Sequence, residues 1–257
     1  MRSGRLTGSE CARALLFFLV CGVVIAACGP ADSTRKGDGG TNMGGSGVEE
    51  SRRATGGVVY VALGDSTGVG VGAREGGGYV ARLFERIRPE HADSRLINLC
   101  VSGAKTEDVL RGQLREAIDA RPTLVTLGIG INDLGHGLTA EQFARNYEEI
   151  VLRLKKETSA RIVVTNVPDI SLAPVIPTSE REATRRRIEL FNEKLESIAR
   201  RYELSVVDVY TETHRVIPEH PEFFSEDGFH PSAEGYSYWA ETMWPAVKAA
   251  IEAGPKN

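Results

Sequence analysis

The chain has 257 residues, 41% of them apolar and 26% charged, which is the balance of a folded globular protein and excludes a disordered one. A formal net charge of −4 offers no basic face for the phosphates of nucleic acid, so nucleic acid is excluded as a partner. Of the four cysteines, Cys11, Cys21 and Cys28 precede the expected folded domain and only Cys100 falls in it, which leaves that domain without a disulfide framework or a cysteine-rich zinc site.

In chain order, Arg2, Arg5 and Arg13 precede the apolar run ALLFFLVCGVVIAA, which has the length and position of a secretory signal rather than of a membrane span. The run closes on Ile25, Ala26, Ala27 and Cys28, an ending that resembles a bacterial lipobox. This resemblance implies removal of residues 1–27, acylation of Cys28 and attachment to a bacterial membrane, where several acyl chains hold a protein stably. A plain signal peptide cut after Ala27, giving a secreted or periplasmic soluble protein, and a retained apolar anchor are the alternatives. Cleavage would remove three arginines and one glutamate, a net +2, and take the formal charge from −4 to −6. Residues 28–57 are rich in Gly, Ser, Thr and Asp without an apolar period, which predicts a flexible tether and places the folded domain at 58–257. Cys11 and Cys21 leave with the signal, and Cys100, ending the apolar stretch 96–99, reads as a small core thiol.

From residue 58 onward, five short apolar stretches alternate with helix-like segments: VVYVAL (58–63), RLINL (95–99), TLVTLG (123–128), RIVVTNV (161–167) and LSVVDV (204–209). Strands separated by amphipathic helices predict a three-layer α/β/α sandwich with a five-stranded parallel, flavodoxin-like sheet. Phe143, Tyr147, Ile150 and Leu154 share one helical face behind a Thr139-x-x-Gln142 capping box. Ile188, Phe191, Leu195, Ile198 and Tyr202 do the same after Ser179-x-x-Glu182. The arginines at 185–187 fall in that second helix and read as a solvated face. A last helix carries Tyr236, Trp239, Met243, Val247 and Ile251 on one stripe, with Pro245 expected to bend it.

Ligands of open α/β sheets sit beyond the carboxyl ends of the strands, so the residues after each strand carry the functional information. The first strand is followed by GDSTGVG (64–70), where glycines surround Ser66. Such a loop can cradle a phosphate, present a nucleophile or merely turn. Gly68-x-Gly70-x-x-Ala73 formally matches a dinucleotide fingerprint, but the loop continues through AREGGG before a helix begins, and no GK[ST] ending follows. Gly64-x-Ser66-x-Gly68 spells the elbow of α/β-hydrolases, yet only one strand precedes it. A chymotrypsin-like reading of GDS needs a histidine before the serine, and none precedes Ser66.

The other segments decide between these readings. NLCVSGAKT holds Gly103, GIGIND holds Asn132, and DGFHPS, before the last helix, holds Asp227 and His230. The ordered set Ser66, Gly103, Asn132 and Asp227-x-x-His230-Pro231 resembles the SGNH, or GDSL-type, hydrolase family over most of the domain. Thr67 departs from the leucine of the name-giving motif. The resemblance implies an acyl esterase or lysophospholipase acting through Ser66 as nucleophile, His230 as general base and then acid, and Asp227 as the group that orients it. It also implies an oxyanion hole from the N–H groups of Ser66 and Gly103 and the amide of Asn132. The chemistry requires these types: a serine hydroxyl is a weak nucleophile until a base takes its proton, and a fixed carboxylate selects the imidazole tautomer. Neither cofactor nor metal is required, and the expected partners are a small acyl ester or lysolipid and, through Cys28, a membrane.

Two other functional classes compete. Asp65, Asp133, Asp169 and Asp208 at strand ends could gather a divalent cation for phosphoester hydrolysis, although no His-x-Asp or two-metal spacing accompanies them. A cell-surface lipoprotein that keeps the fold as a binding module is the other. Asp65 is expected to brace its turn, and Asp133 to cap or bond locally. His91, His136, His214 and His220 read as surface or structural residues, with His136 a possible pocket residue. PDISLAPVIPTSE (168–180), with Leu172, Val175 and Ile176, is expected to border an apolar acyl pocket.

Overall fold

A computed structural model of the protein describes residues 56–255; the signal segment, Cys28 and nearly all of the tether lie outside these residues. The first strand, β1 (Val59–Gly64), is buried on both faces, and its alternating side chains feed two separate cores. Val61 and Leu63 join Phe143, Tyr147 and Phe191 on one face, whereas Tyr60 and Ala62 join Tyr79, Tyr236 and Met243 on the other. A strand whose neighbours are covered on both sides needs apolar residues at successive positions, which is why VYVALG reads as a continuous run.

Four further parallel strands, β2 (Arg95–Asn98), β3 (Leu124–Gly128), β4 (Arg161–Thr165) and β5 (Ser205–Val207), complete a sheet of order β2-β1-β3-β4-β5. This is the flavodoxin-like order predicted from the sequence. The chain reverses direction of travel between β1 and β3, and a crevice opens there at the carboxyl ends of the strands. Short α1 (Ser66–Val69) follows β1 directly, and α2 (Tyr79–Ile87) covers one face.

After β2, a helical stretch runs through α3 (Thr106–Asp108), a π-helical turn (Val109–Gln113) and α4 (Leu114–Asp119). Following β3 come α5 (Ile131–Gly135) and α6 (Ala140–Glu157), the latter opened by the Thr139–Gln142 capping box read from the sequence. The next long helix, α7 (Thr178–Arg201), starts differently from its expected box. Pro177 occupies the cap position, so Ser179 lies inside the first turn and caps nothing. Arg186 and Arg187 are exposed as expected, Arg187 also donating to the Leu134 carbonyl at 2.7 Å, whereas Arg185 is half-buried beside Asp169. The chain ends with α8 (Val209–Val216), a 3-10 turn (Pro221–Phe223) and α9 (Ala233–Glu252), which is capped by Ser232 and contains Pro245. Among the described residues no helix is long and apolar enough to cross a membrane.

Candidate active site

Ser66 is placed by what surrounds its turn. Asp65, in extended conformation, caps α1 and accepts the Thr67 N–H at 3.0 Å and the Thr67 hydroxyl at 2.8 Å. The hydroxyl of Thr67 thus gives the Asp65 carboxylate a bond that leucine could not. Burial pushes the Asp65 carboxyl up to about 6, against the lowering effect of these two bonds. Gly68 is required on this helix because a Cβ there would lie 2.3 Å from the sulfur of Cys100, whose thiol is pushed up by burial and therefore stays protonated. One residue before Asp65, the backbone of Gly64 is clasped on both sides: its N–H donates to Gln113 Oε1 at 2.9 Å, and its carbonyl accepts from Gln113 Nε2 at 2.8 Å.

His230 arrives from the other end of the domain. Residues 224–231 form a narrow hairpin in which Phe224 bridges Pro231 and Ser225 N–H donates to the His230 carbonyl at 2.8 Å. Asp227 sits at its tip, where Oδ1 accepts from Phe229 N–H and His230 N–H, each at 2.8 Å, and from the Ser225 hydroxyl at 2.9 Å. Its other oxygen lies 2.6 Å from His230 Nδ1. Burial alone would raise the Asp227 carboxyl, but the hydrogen bonds from His230, Phe229 and Ser225 outweigh it and hold it below the usual range. His230 Nε2 stands 3.0 Å from Ser66 Oγ, and both residues are nearly closed to solvent, at 3% and 6% exposure. An ionised Asp227 can only accept, so Nδ1 carries the proton and Nε2 keeps the lone pair facing the serine hydroxyl.

Gly103 and Asn132 lie on two loops that are tied together. Gly103 takes φ +81°, a conformation that L side chains rarely adopt, although a Cβ there would meet nothing within 4 Å. Asn132 Nδ2 donates one hydrogen to the Ala104 carbonyl at 3.0 Å, which ties α5 to the Gly103 loop and leaves the second amide hydrogen for another acceptor. Asp133 strengthens the same tie from a position with no solvent exposure, accepting the Thr106 N–H at 3.0 Å and the Thr106 hydroxyl at 2.5 Å. Its partner is 27 residues away, so the expected local role of Asp133 is replaced by a cross-loop one.

A cavity of about 70 Å³ opens beside Ser66 and His230. From the 168–180 segment it takes Pro168, Asp169 and Ile170, but not Leu172, Val175 or Ile176, which were expected to border it. Val175 is 42% exposed, with its N–H on the Gly228 carbonyl, and Ile176 is buried in the core. The apolar walls come instead from α8, α9 and Phe223 and Phe224.

The four aspartates of the metal reading are dispersed. Asp65 binds Thr67, Asp133 binds Thr106, Asp169 binds Ser171 and His214, and Asp208 binds Asn166 and Thr211. Among the described residues no group of three or more His, Cys, Asp or Glu is placed to hold a metal ion. His136 caps α5 with Nδ1 2.8 Å from the Asn132 carbonyl and does not line the cavity, and His220 pairs with Glu222. Sequence reasoning missed Gln113. Its signal was a lone amide on the otherwise apolar face formed by Val109, Leu114 and Ala117.

The sequence model of the GDSL-like Lipase/Acylhydrolase family matches residues 62–238. Esterase TesA of Pseudomonas aeruginosa is 24% identical over 191 residues, covering 74% of this chain and 88% of TesA. A GDSL-like esterase of Mycobacterium tuberculosis is 27% identical over 232 residues, covering 86% and 71% of the two chains. Among solved structures, Axe2, an acetylxylan esterase from Geobacillus stearothermophilus, superposes with a TM-score of 0.63 at 22% identity, covering 75% of this chain and 95% of Axe2.

Proposed function

Because the chain belongs to the GDSL-like lipase/acylhydrolase family and is a carboxylic ester hydrolase, we propose that it cleaves its ester in two steps through an acyl-enzyme on Ser66. The observation that carries this reading is the continuous line from Asp227 through His230 to Ser66, at 2.6 and 3.0 Å. His230 Nε2 takes the serine proton as Oγ attacks the carbonyl carbon, and Asp227 stabilises the imidazolium that forms. The oxyanion is received by the N–H groups of Ser66 and Gly103 and the free amide hydrogen of Asn132. Ser66 suits this role because a first-turn N–H has no partner within its helix. The alcohol then departs with the proton from His230, and a water repeats the sequence in reverse to release the acid. No cofactor enters these steps. The apolar cavity beside the serine supports an acyl ester or lysolipid as substrate, and the Cys28 sequence supports anchoring of the mature chain to a bacterial membrane.

Hydrolysis of p-nitrophenyl butyrate by the full chain and by Ser66→Ala tests the mechanism. Activity should vanish in the variant while its circular dichroism is unchanged; equal activity in both would remove Ser66 as nucleophile. Incorporation of labelled palmitate into the wild-type chain but not into Cys28→Ser tests the anchor, and equal labelling of both would refute it.

A further inference from the structure

The cavity beside Ser66 has a defined shape, set by two helices that face each other without closing. From α8 come Val209, Glu212, Thr213 and Val216, spaced as one complete helical face. From α9 come Gly235, Tyr238, Trp239 and Thr242, with the same spacing. In a packed core such stripes interlock; here they stand apart as the walls of a slot that Phe223 and Phe224 flank and that reaches Ser66 and His230. The Tyr238 hydroxyl donates to Glu212 Oε2 at 2.6 Å and so joins the two walls.

Most side-chain polar atoms along the slot are committed to neighbours, the exception among the acceptors being Glu212 Oε1 on a side chain 34% exposed. Glu212 also accepts from Arg215, the Thr213 hydroxyl donates to the Val209 carbonyl, the Thr242 hydroxyl to the Tyr238 carbonyl, and Asp169 is held by Ser171 and His214. One donor, the Trp239 indole N–H, is buried without a partner. One donor and one half-exposed carboxylate oxygen cannot satisfy the several hydroxyls of a sugar, whereas carbon fills the remaining surface without loss. The length follows from the α9 wall, which spans residues 235–242, or about 10 Å at the helical rise. An extended chain advances about 1.2 Å per bond, which gives roughly eight bonds. The volume of about 70 Å³ agrees, since a water-sized group occupies roughly 10–15 Å³ on this measure and some five to seven fit.

We propose that the slot between α8 and α9 binds the acyl chain of the substrate and selects straight chains of about six to eight carbons. This rests on the reading of Ser66 as nucleophile. Each added methylene within the slot should raise kcat/KM about fourfold, with no further gain beyond its end.

The test uses the full chain with p-nitrophenyl acetate, butyrate, hexanoate, octanoate and palmitate, beside a fluorophosphonate probe for Ser66. Hexanoate or octanoate should exceed acetate at least 100-fold in kcat/KM, and palmitate should gain nothing beyond octanoate. Val216→Trp and Thr242→Phe narrow the slot from opposite walls, so each should lower the octanoate-to-acetate ratio at least 10-fold. The second variant, at a less buried position, guards against a folding defect in the first. If Ser66 reacts with the probe and acetate is cleaved as fast as octanoate, or if neither variant moves the ratio, the slot is not the acyl site although the serine mechanism stands. If Ser66 is not labelled and no ester is cleaved, the mechanism fails and the proposal with it.

Discussion

Asp227 and His230 are held by bonds spanning two or three residues, whereas the loops bearing Ser66, Gly103 and Asn132 are joined by bonds spanning 27 to 49 residues. On the His230 side one hairpin makes its own geometry: the tip carboxylate gathers the backbone donors of its own turn and the imidazole together. On the Ser66 side no loop is sufficient alone. Gln113 clasps the end of β1, and Asp133 binds α5 to the start of α3. The proposed base is therefore a local construction and the proposed nucleophile with its oxyanion donors a tertiary one, and the two should respond differently to mutation.

The largest effect is expected on the local side. Asp227→Asn leaves the hairpin able to form but offers His230 the wrong partner, so kcat should fall about 10⁴-fold with the thermal midpoint little changed. A fall of less than tenfold would mean that the surroundings, not Asp227, orient the imidazole. Next comes Asn132→Ala, which removes one proposed oxyanion donor and should slow turnover on the order of 10²–10³-fold. A near-normal rate would take Asn132 out of the site. Gln113→Leu, measured by urea unfolding, isolates the long-range tie. It strands the buried Gly64 N–H, while the Gly64 carbonyl keeps its bond from the Val101 N–H, and should cost about 1–3 kcal/mol of stability, together with a fall in kcat larger than any change in KM. Loss of stability with unaltered kinetics would show that the clasp serves the fold and not the serine.

The smallest effect concerns Asp65. Its carboxyl, pushed up to about 6 from an ordinary 3.8, retains a proton in the native state that the unfolded chain gives up between about pH 4 and 6. Wild-type stability from this group is therefore complete below about pH 4, falls as the pH rises through that window and is flat above it. Asp65→Asn keeps an acceptor for Thr67 without the buried charge, so it should exceed the wild type above pH 6 by up to about 3 kcal/mol and match it below pH 4. Unfolding midpoints of the two proteins at pH 4 and pH 8 check this, and a constant difference would overturn it.

The same contrast marks what the sequence made legible. DGFHPS could be read because its chemistry is contained in its own turn, and the strands because burial on both faces leaves an unbroken apolar run. Ser66, Gly103 and Asn132 could be proposed only as an ordered set, since no one of them implies the others. The partners of Asp133 and Gln113 were not legible: a carboxylate with a threonine 27 residues away and an amide across 49 leave no spacing to read. Thr67 is legible as a departure from the family motif, but the bond from its hydroxyl to Asp65 is not. The cavity was misplaced for a related reason. The apolar residues of 168–180 drew attention, but the slot is made by two helix stripes whose periodicity is that of core helices, and only their separation in space distinguishes them.

Ser66 and His230 lie 164 residues apart, one just after the first strand and the other just before the last helix. During synthesis the serine emerges first, and at about 5–20 residues per second the ribosome takes on the order of 10–30 s to deliver its histidine. Throughout that interval the nascent chain carries the proposed nucleophile without its proposed base. On the proposed mechanism a chain stalled before residue 230 would be inert toward esters, so appearance of activity would serve as a clock for completion of the polypeptide.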